Sequence, residues 1–214
     1  LINGMVLAED GRKMSKSLGN VVEPDDLVAK YGADAIRLWA AMGGTIGSDI
    51  PFNEKDVKFG NRFLRKLWNA ARFAAVDSRA VEREPKELDL QDRWILHRLN
   101  ALTSRVAAYL EEYRFDRALP EICDFVWHDL CDVYIEEIKH RLYSPEVYGE
   151  ESREAAIYTL RKAVFQSLKL LAPYTPHFAD EVYSAFYPAG GAIHREAWPE
   201  AEDRYTSEEA ERLG

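Results

Sequence analysis

Residues 54–75 read EKDVKFGNRFLRKLWNAARFAA, with no proline and one glycine. At about 100° per residue, with Lys55 set at zero, Lys58, Arg62, Arg65 and Lys66 fall within roughly 100° of arc. Val57, Phe63, Leu64, Leu67 and Trp68 gather on the other side, as a core-facing stripe should. The segment predicts a helix with one wet, basic face. Phe73 departs from the pattern, because it returns to the angle of Lys55 and Lys66. A helix of this kind needs partners for its apolar stripe, and the sequence after it supplies them. A second helix is expected over 92–113, where Trp94, Leu99, Leu102, Val106 and Leu110 recur three to five residues apart. A third spans 115–143, with Pro120 tolerated in its first turns, and a fourth spans 151–171, stopped before Pro173. Thr175-Pro176 opens a fifth, Thr as cap and Pro at the first helical position, ending near Tyr187-Pro188. A charged loop with Pro85 separates the first two, Gly190-Gly191 leads into a tail, and Ser207-Glu208-Glu209 starts a last helix. Long helices on short loops give a mainly α fold, an antiparallel bundle over residues 53–214.

Residues 1–52 read differently. Ile2 to Leu7 is apolar and partly β-branched, and Asp10-Gly11 is a turn signal, so a short hairpin is expected to lead into a loop. Gly19-Asn20 punctuates the loop's end. A short helix follows, with Asp25 and Asp26 at its N-terminus, where the helix dipole favours acids, and Gly32 ends it. A second runs over 33–42, and the glycines at 43, 44 and 47 make 43–53 a connector.

Composition narrows the function. Apolar residues make up 47% of the 214, too many for a disordered chain, and no apolar run approaches the roughly 20 residues that span a bilayer. Two cysteines, Cys123 and Cys131, and no basic-then-apolar leader fit a cytoplasmic protein without a disulfide framework. The start at Leu1, inside an apolar phrase, reads as a cut from a longer chain. The net charge of −9 argues against nucleic acid, yet residues 1–80 carry +2 and residues 81–214 carry −11. A phosphate partner meets the local field of the 54–75 helix rather than the total.

Residues 11–20, GRKMSKSLGN, carry the chemistry. Two ammonium groups and two hydroxyls on one loop, flanked by glycines, suit closure over a polyphosphate. Transfer at phosphorus is catalysed largely by positioning and by neutralising charge that grows on oxygens. Average residue usage yields Lys-Met-Ser-Lys-Ser by chance in about one in ten thousand chains of this length, so a plain surface loop is the poorer account. At these residues the sequence resembles the class I aminoacyl-tRNA synthetases, whose signature loop this is. Residues 32–37, 63–73, 127–136 and 171–178 resemble the family's helix after the loop and later helices of its anticodon-binding domain. Within the subgroup for branched aliphatic amino acids, residues 67–70 and 194–199 look most like the valyl members, with the isoleucyl members as runner-up.

The resemblance implies an ATP-dependent ligase joining valine to tRNA. Lys13, Ser15, Lys16 and Ser17 would be the catalytic residues, and Lys13, Met14 and Lys16 would meet ATP. Magnesium would accompany the ATP, with no metal ligands expected in this stretch. Lys55, Arg62, Lys66 and Phe73 would face the tRNA anticodon arm, with Phe73 as a stacking ring beside phosphate-binding cations. Residues 1–52 would be the end of the catalytic module with its stem-contact helices, and 53–214 the anticodon-binding bundle. The family's second signature, His-x-Gly-His, is absent, since His97, His128, His140, His177 and His194 are isolated. The chain by itself is therefore not expected to charge tRNA. The competing function is a non-catalytic helical interaction module that retains only the ancestry, although such a module needs neither lysine nor serine in the loop.

Other groupings read as structural. Asp124, His128 and Asp132, four apart, offer too few thiolates or imidazoles for a closed zinc site and are read as hydrogen-bonding partners. The two cysteines read as small core residues, and Trp127, Phe125, Tyr134, Tyr174 and Phe178 as bundle core. Glu136 and Glu137 read as a solvated face.

Overall fold

The computed structural model describes residues 4–44, 47–75, 84–188 and 190–212. Ile2, part of the charged loop and part of the 43–53 connector lie outside the described residues. The apolar stripe of residues 54–75 makes α3 (Glu54–Ala75), whose Phe63, Leu67, Ala70, Ala71 and Ala74 are buried. Around it stand α4 (Leu90–Glu111), a long helical run over residues 115–143, and α8 (Glu150–Leu171). Leu99, Leu102, Leu119, Ile122, Leu130, Ile138, Leu160 and Leu168 fill the space between them. Trp68, expected in the core, is 37% exposed. It sits at the far edge of the stripe and meets Phe178 edge-on, with ring centroids 6.4 Å apart.

The 115–143 run is continuous but not uniform. It begins as α5 (Phe115–Asp124), widens into a π-helical stretch (Phe125–Tyr134) and returns to α6 (Ile135–Tyr143). A short helix, α7 (Pro145–Tyr148), which the sequence had not suggested, precedes α8. Phe125, Tyr134 and Tyr174 are buried as expected, whereas Trp127 and Phe178 are only half-buried.

One buried polar network ties α4 to α6 and α8. Asp89 and Asp92 form a reciprocal cap at the start of α4. The fully buried Asp92 carboxylate accepts from Arg141 at 2.9 and 2.7 Å and from the Tyr134 hydroxyl at 2.6 Å. Arg141 also donates to the Ser152 hydroxyl and carbonyl, at 2.9 and 2.6 Å. Burial is the largest single influence and disfavours the Arg141 charge, but the hydrogen bond to Asp92 and the charge attraction of Asp92, Tyr134 and Asp89 together outweigh it, so its pKa stays above the ordinary value. The forked pairing lets a charge sit in a helical core.

The leading residues form a small layer on the bundle's side. β1 (Val6–Leu7) runs parallel to β2 (Ile50–Pro51), which lies in the expected connector. The expected hairpin is reduced to one antiparallel bridge, Leu7 to Lys13, closed by a turn with Gly11 at φ 78°. Between the strands lie α1 (Pro24–Tyr31) and α2 (Ala33–Met42). Ala35, Trp39, Phe52 and Val57 make a second, smaller core. Val57 belongs to α3, so the first turns of the bundle's leading helix also complete this layer. Gly60 lets the two helices meet: a Cβ there would stand 3.0 Å from the Ala35 carbonyl oxygen.

The start of α9 (Pro176–Phe186) corrects another expectation. The Thr175 hydroxyl does not cap it but donates backward to the Leu171 carbonyl, 3.2 Å away. The cap comes from α2, where Asp34 Oδ2 accepts the Phe178 N–H at 2.6 Å. Arg37 donates to the carbonyls of Pro173 and Tyr174, both at 2.9 Å. Asp34 thus satisfies an N–H that the start of α9 leaves open, and Arg37 holds the carbonyls of the turn between α8 and α9. Among the described residues, no helix is long and apolar enough to cross a membrane.

Candidate functional site

The signature loop is anchored at both ends and exposed in the middle. Asp10 accepts from the Arg12 backbone and side chain at 3.0 and 2.7 Å, which holds its carboxyl below the usual range. Met14 is half-buried against the small core and serves as the loop's foot, whereas Leu18 is exposed. Residues 16–18 make a single 3₁₀ turn that ends on Gly19 at φ 64°. Asn20 closes the loop. Its Oδ1 accepts the Ser15 N–H at 2.8 Å, and its Nδ2 donates to the Lys13 carbonyl at 3.2 Å. The Ser15 and Ser17 hydroxyls share a hydrogen bond of 2.8 Å. Lys13, Lys16 and Ser17 face solvent. A loop of this shape presents two ammonium groups and a linked pair of hydroxyls to an anionic ligand, with its backbone already fixed. Asn20 is the residue that sequence reasoning passed over as punctuation. Its signal was the amide itself, a donor and an acceptor at the end of a loop with unsatisfied backbone groups.

The basic face of α3 divides into two parts. Lys55, Lys58, Arg62 and Arg65 are exposed, and Lys58 lies 3.7 Å from Glu54. Lys66 is turned inward: its Nζ lies 2.5 Å from Asp132 and 4.3 Å above the Trp127 ring. The hydrogen bond from Lys66 pulls the Asp132 carboxyl below its ordinary pKa. Phe73 is half-buried, edge-on to Tyr143 at 6.4 Å. At 1.5 Å per residue, Lys55 and Phe73 are about 27 Å apart, so the four residues read as tRNA contacts form a line rather than a cluster.

The groups read as structural have structural partners. His128 Nδ1 lies 3.2 Å from Asp132, and its Nε2 lies 3.9 Å from Asp124. Burial pushes the Cys123 and Cys131 thiols up to about 12 and about 11, so neither is a thiolate nucleophile at neutral pH.

Residues 92–213 match the family model of the anticodon-binding domain of tRNA ligases, and residues 1–53 match that of the class I tRNA synthetases for I, L, M and V. The chain belongs to the class I tRNA synthetases. A valine–tRNA ligase of Methanothermobacter thermautotrophicus is 49% identical over 214 residues, covering 100% of this chain and 24% of its own length. One from Methanopyrus kandleri is 45% identical over 218 residues, with shares of 100% and 24%. The synthetase chain described here thus spans about a quarter of the length of these curated relatives. Among solved structures it is similar to the Agrobacterium radiobacter K84 agnB2 LeuRS in a ternary complex with tRNA and LeuAMS. That likeness has a TM-score of 0.72 at 26% identity and covers 96% of this chain and 24% of the other. In this synthetase segment, the whole of α3 falls between the two matched stretches, so its basic face is described by structure rather than by either family model.

Proposed function

We propose that this chain is the part of an ATP-dependent valine–tRNA ligase that holds the ATP phosphates at one end and the tRNA anticodon arm along the other. The observation that carries the reading is the signature loop, closed by Asn20 with both lysines exposed. Lys13 and Lys16 neutralise charge that grows on the pyrophosphate leaving group as the valine carboxylate attacks ATP, and Ser15 and Ser17 add donors. Met14 fixes the loop against the small core. Magnesium travels with the ATP, and the loop, with two ammonium groups and no carboxylate, suits the phosphates rather than the cation.

Residues 1–52 form the end of the catalytic module and 53–214 the anticodon-binding bundle, with Val57 of α3 packed into the smaller core across that division. Lys55 and Arg62 line the tRNA-facing side, and Lys66 and Phe73 lie along the same line of α3 but are engaged by Asp132 and Tyr143. The named valine ligases among the relatives favour valine over isoleucine. Two free cysteines fit a reducing cytoplasm. The test is a chimera in which this chain replaces the matching quarter of the Methanothermobacter thermautotrophicus relative. Valine-dependent ATP–pyrophosphate exchange and valyl-tRNA formation are expected. Exchange that responds to isoleucine instead would move the assignment to that amino acid, and a chimera with unchanged fold and no exchange would remove it.

A further inference from the structure

We propose that Asp34 and Arg37 are positioning residues for tRNA charging. By gripping the turn between α8 and α9 they fix the bundle's angle to the signature loop, and so the place where bound tRNA presents its end for charging. The inference rests on the ligase reading above and assigns a role in it to two residues outside both the loop and the basic face. α2, ten residues long and so about 15 Å, faces two ways. On one side Ala35 and Trp39 enter the smaller core, on which Met14, the foot of the loop, is seated. On the other, Asp34 Oδ2 accepts the Phe178 N–H at 2.6 Å, and Arg37 Nε and Nη2 donate to the Tyr174 and Pro173 carbonyls, both at 2.9 Å. One short helix thus carries both the loop's seat and the grip on the bundle.

Three features suit this contact to setting an angle rather than to cohesion alone. The first is direction. Apolar packing is non-directional and lets two layers slide, whereas hydrogen bonds weaken steeply away from their preferred line. The planar fork of Arg37 meets two successive carbonyls while Asp34 holds an N–H of the next helix, so sliding and twisting are both resisted. The second is a separate attachment of the same layer. Lys30 Nζ lies 2.6 Å from Glu54, the Tyr31 hydroxyl donates to the same carboxylate, and Asn61 donates to the Tyr31 carbonyl at 2.9 Å. Bonds to α3 at one place and to the α8–α9 turn at another leave the layer no free hinge against the bundle. The third is Asp34 itself. It is 6% exposed, and its Oδ1 has no hydrogen-bond partner among the described residues. A buried carboxylate with one oxygen unpaired is destabilising, and the positive start of α9 reduces that cost. Cohesion alone would be served as well by an apolar residue, whereas holding a helix end in place requires the acceptor. Adenylate formation needs only ATP and valine at the loop. Charging also needs tRNA held at both ends, where a misplacement of about 1 Å can cost about 100-fold in rate.

The experiment uses the same chimera, carrying Asp34→Ala, Asp34→Asn, Arg37→Met or Arg37→Lys. Asp34→Ala and Arg37→Met should each lower kcat for valyl-tRNA formation about tenfold, while tRNA affinity changes by less than about threefold. Valine-dependent ATP–pyrophosphate exchange, which needs no tRNA, should stay within about twofold of the parent. Asp34→Asn keeps an acceptor for the Phe178 N–H and should restore most of the charging rate. Arg37→Lys, which reaches one carbonyl instead of two, should restore part of it. Arg37 is exposed, so its variants carry the test even where Asp34→Ala melts below the assay temperature. Exchange and charging that fall by the same factor mean lost fold, and parental charging in both Asp34→Ala and Arg37→Met means idle contacts. Either result overturns the positioning role and leaves the ligase reading intact. A loss confined to tRNA affinity overturns it too, since the two would then be binding residues. A chimera with neither exchange nor charging removes the ligase reading and this role with it.

Discussion

Lys66 Nζ lies 2.5 Å from Asp132 Oδ1, so a cation on the basic face of α3 is already neutralised by an acid of the π-helical stretch. Lys55, on the same face, is exposed. The two lysines should therefore differ in tRNA binding. Lys55→Ala should lower the salt slope by roughly 0.7 to 0.9, and Lys66→Ala by clearly less. Asp132→Asn should raise it, because Lys66 is released to a phosphate. Filter binding at four or five salt concentrations checks all three, and equal slopes for the two lysine variants would contradict the pairing.

In the chimera, Lys16→Ala should lower kcat for valine-dependent ATP–pyrophosphate exchange on the order of 100-fold while the valine KM changes little. Charge that appears with the leaving group acts on the transition state. Asn20→Ala, which removes both hydrogen bonds closing the loop, should lower kcat less, and Asn20→Asp, which keeps only the acceptor, should fall between it and wild type. Matched losses in kcat and valine affinity would point to misfolding instead.

The Asp92–Arg141 pair predicts a large stability effect far from both candidate sites. Arg141→Met leaves a fully buried carboxylate without its forked partner and should cost about 3–5 kcal/mol in urea unfolding. Adding Asp92→Asn should recover part of it, since the uncompensated charge is gone. A change below about 1 kcal/mol in the single variant would mean that Tyr134 and water suffice for Asp92.

Glu54 gives a pH signature. Hydrogen bonds from Lys30 and Tyr31 lower its pKa from 4.5 to about 2. A carboxylate with a depressed folded pKa stabilises fully above its unfolded value, and that contribution disappears as pH falls from about 4.5 towards 2. Glu54→Gln should lower the melting temperature at pH 7 and flatten its decline between pH 4.5 and 2. Because Glu54 is partly exposed, the effect should be smaller than that of Arg141→Met and should shrink in high salt.

The 214 residues alone should form no valyl-tRNA, because they hold no His-x-Gly-His signature. Purified chain supplied with ATP, valine and tRNA tests this, and any accumulation of charged tRNA above background contradicts it.

The sequence by itself determined the helices and the loop. Residues 54–75 carry a helical period strong enough to place the buried Phe63 and Leu67 opposite the exposed Lys55 and Arg62, and the Lys-Met-Ser-Lys-Ser run is local in the chain. Periodicity reports which face of a helix is dry, not which neighbour dries it. Only the tertiary structure decided that Lys66 is paired with Asp132, that Trp127 lines a cleft while packing against the core, and that Phe73 leans on Tyr143. It also decided that Asp34 caps a helix 144 residues away where Thr175 had seemed sufficient, and that β1 pairs with β2 rather than with a hairpin partner. Each of these depends on contacts between residues distant in sequence. A side chain's local options are nearly equal in energy until packing removes all but one, and that choice is made by the fold as a whole.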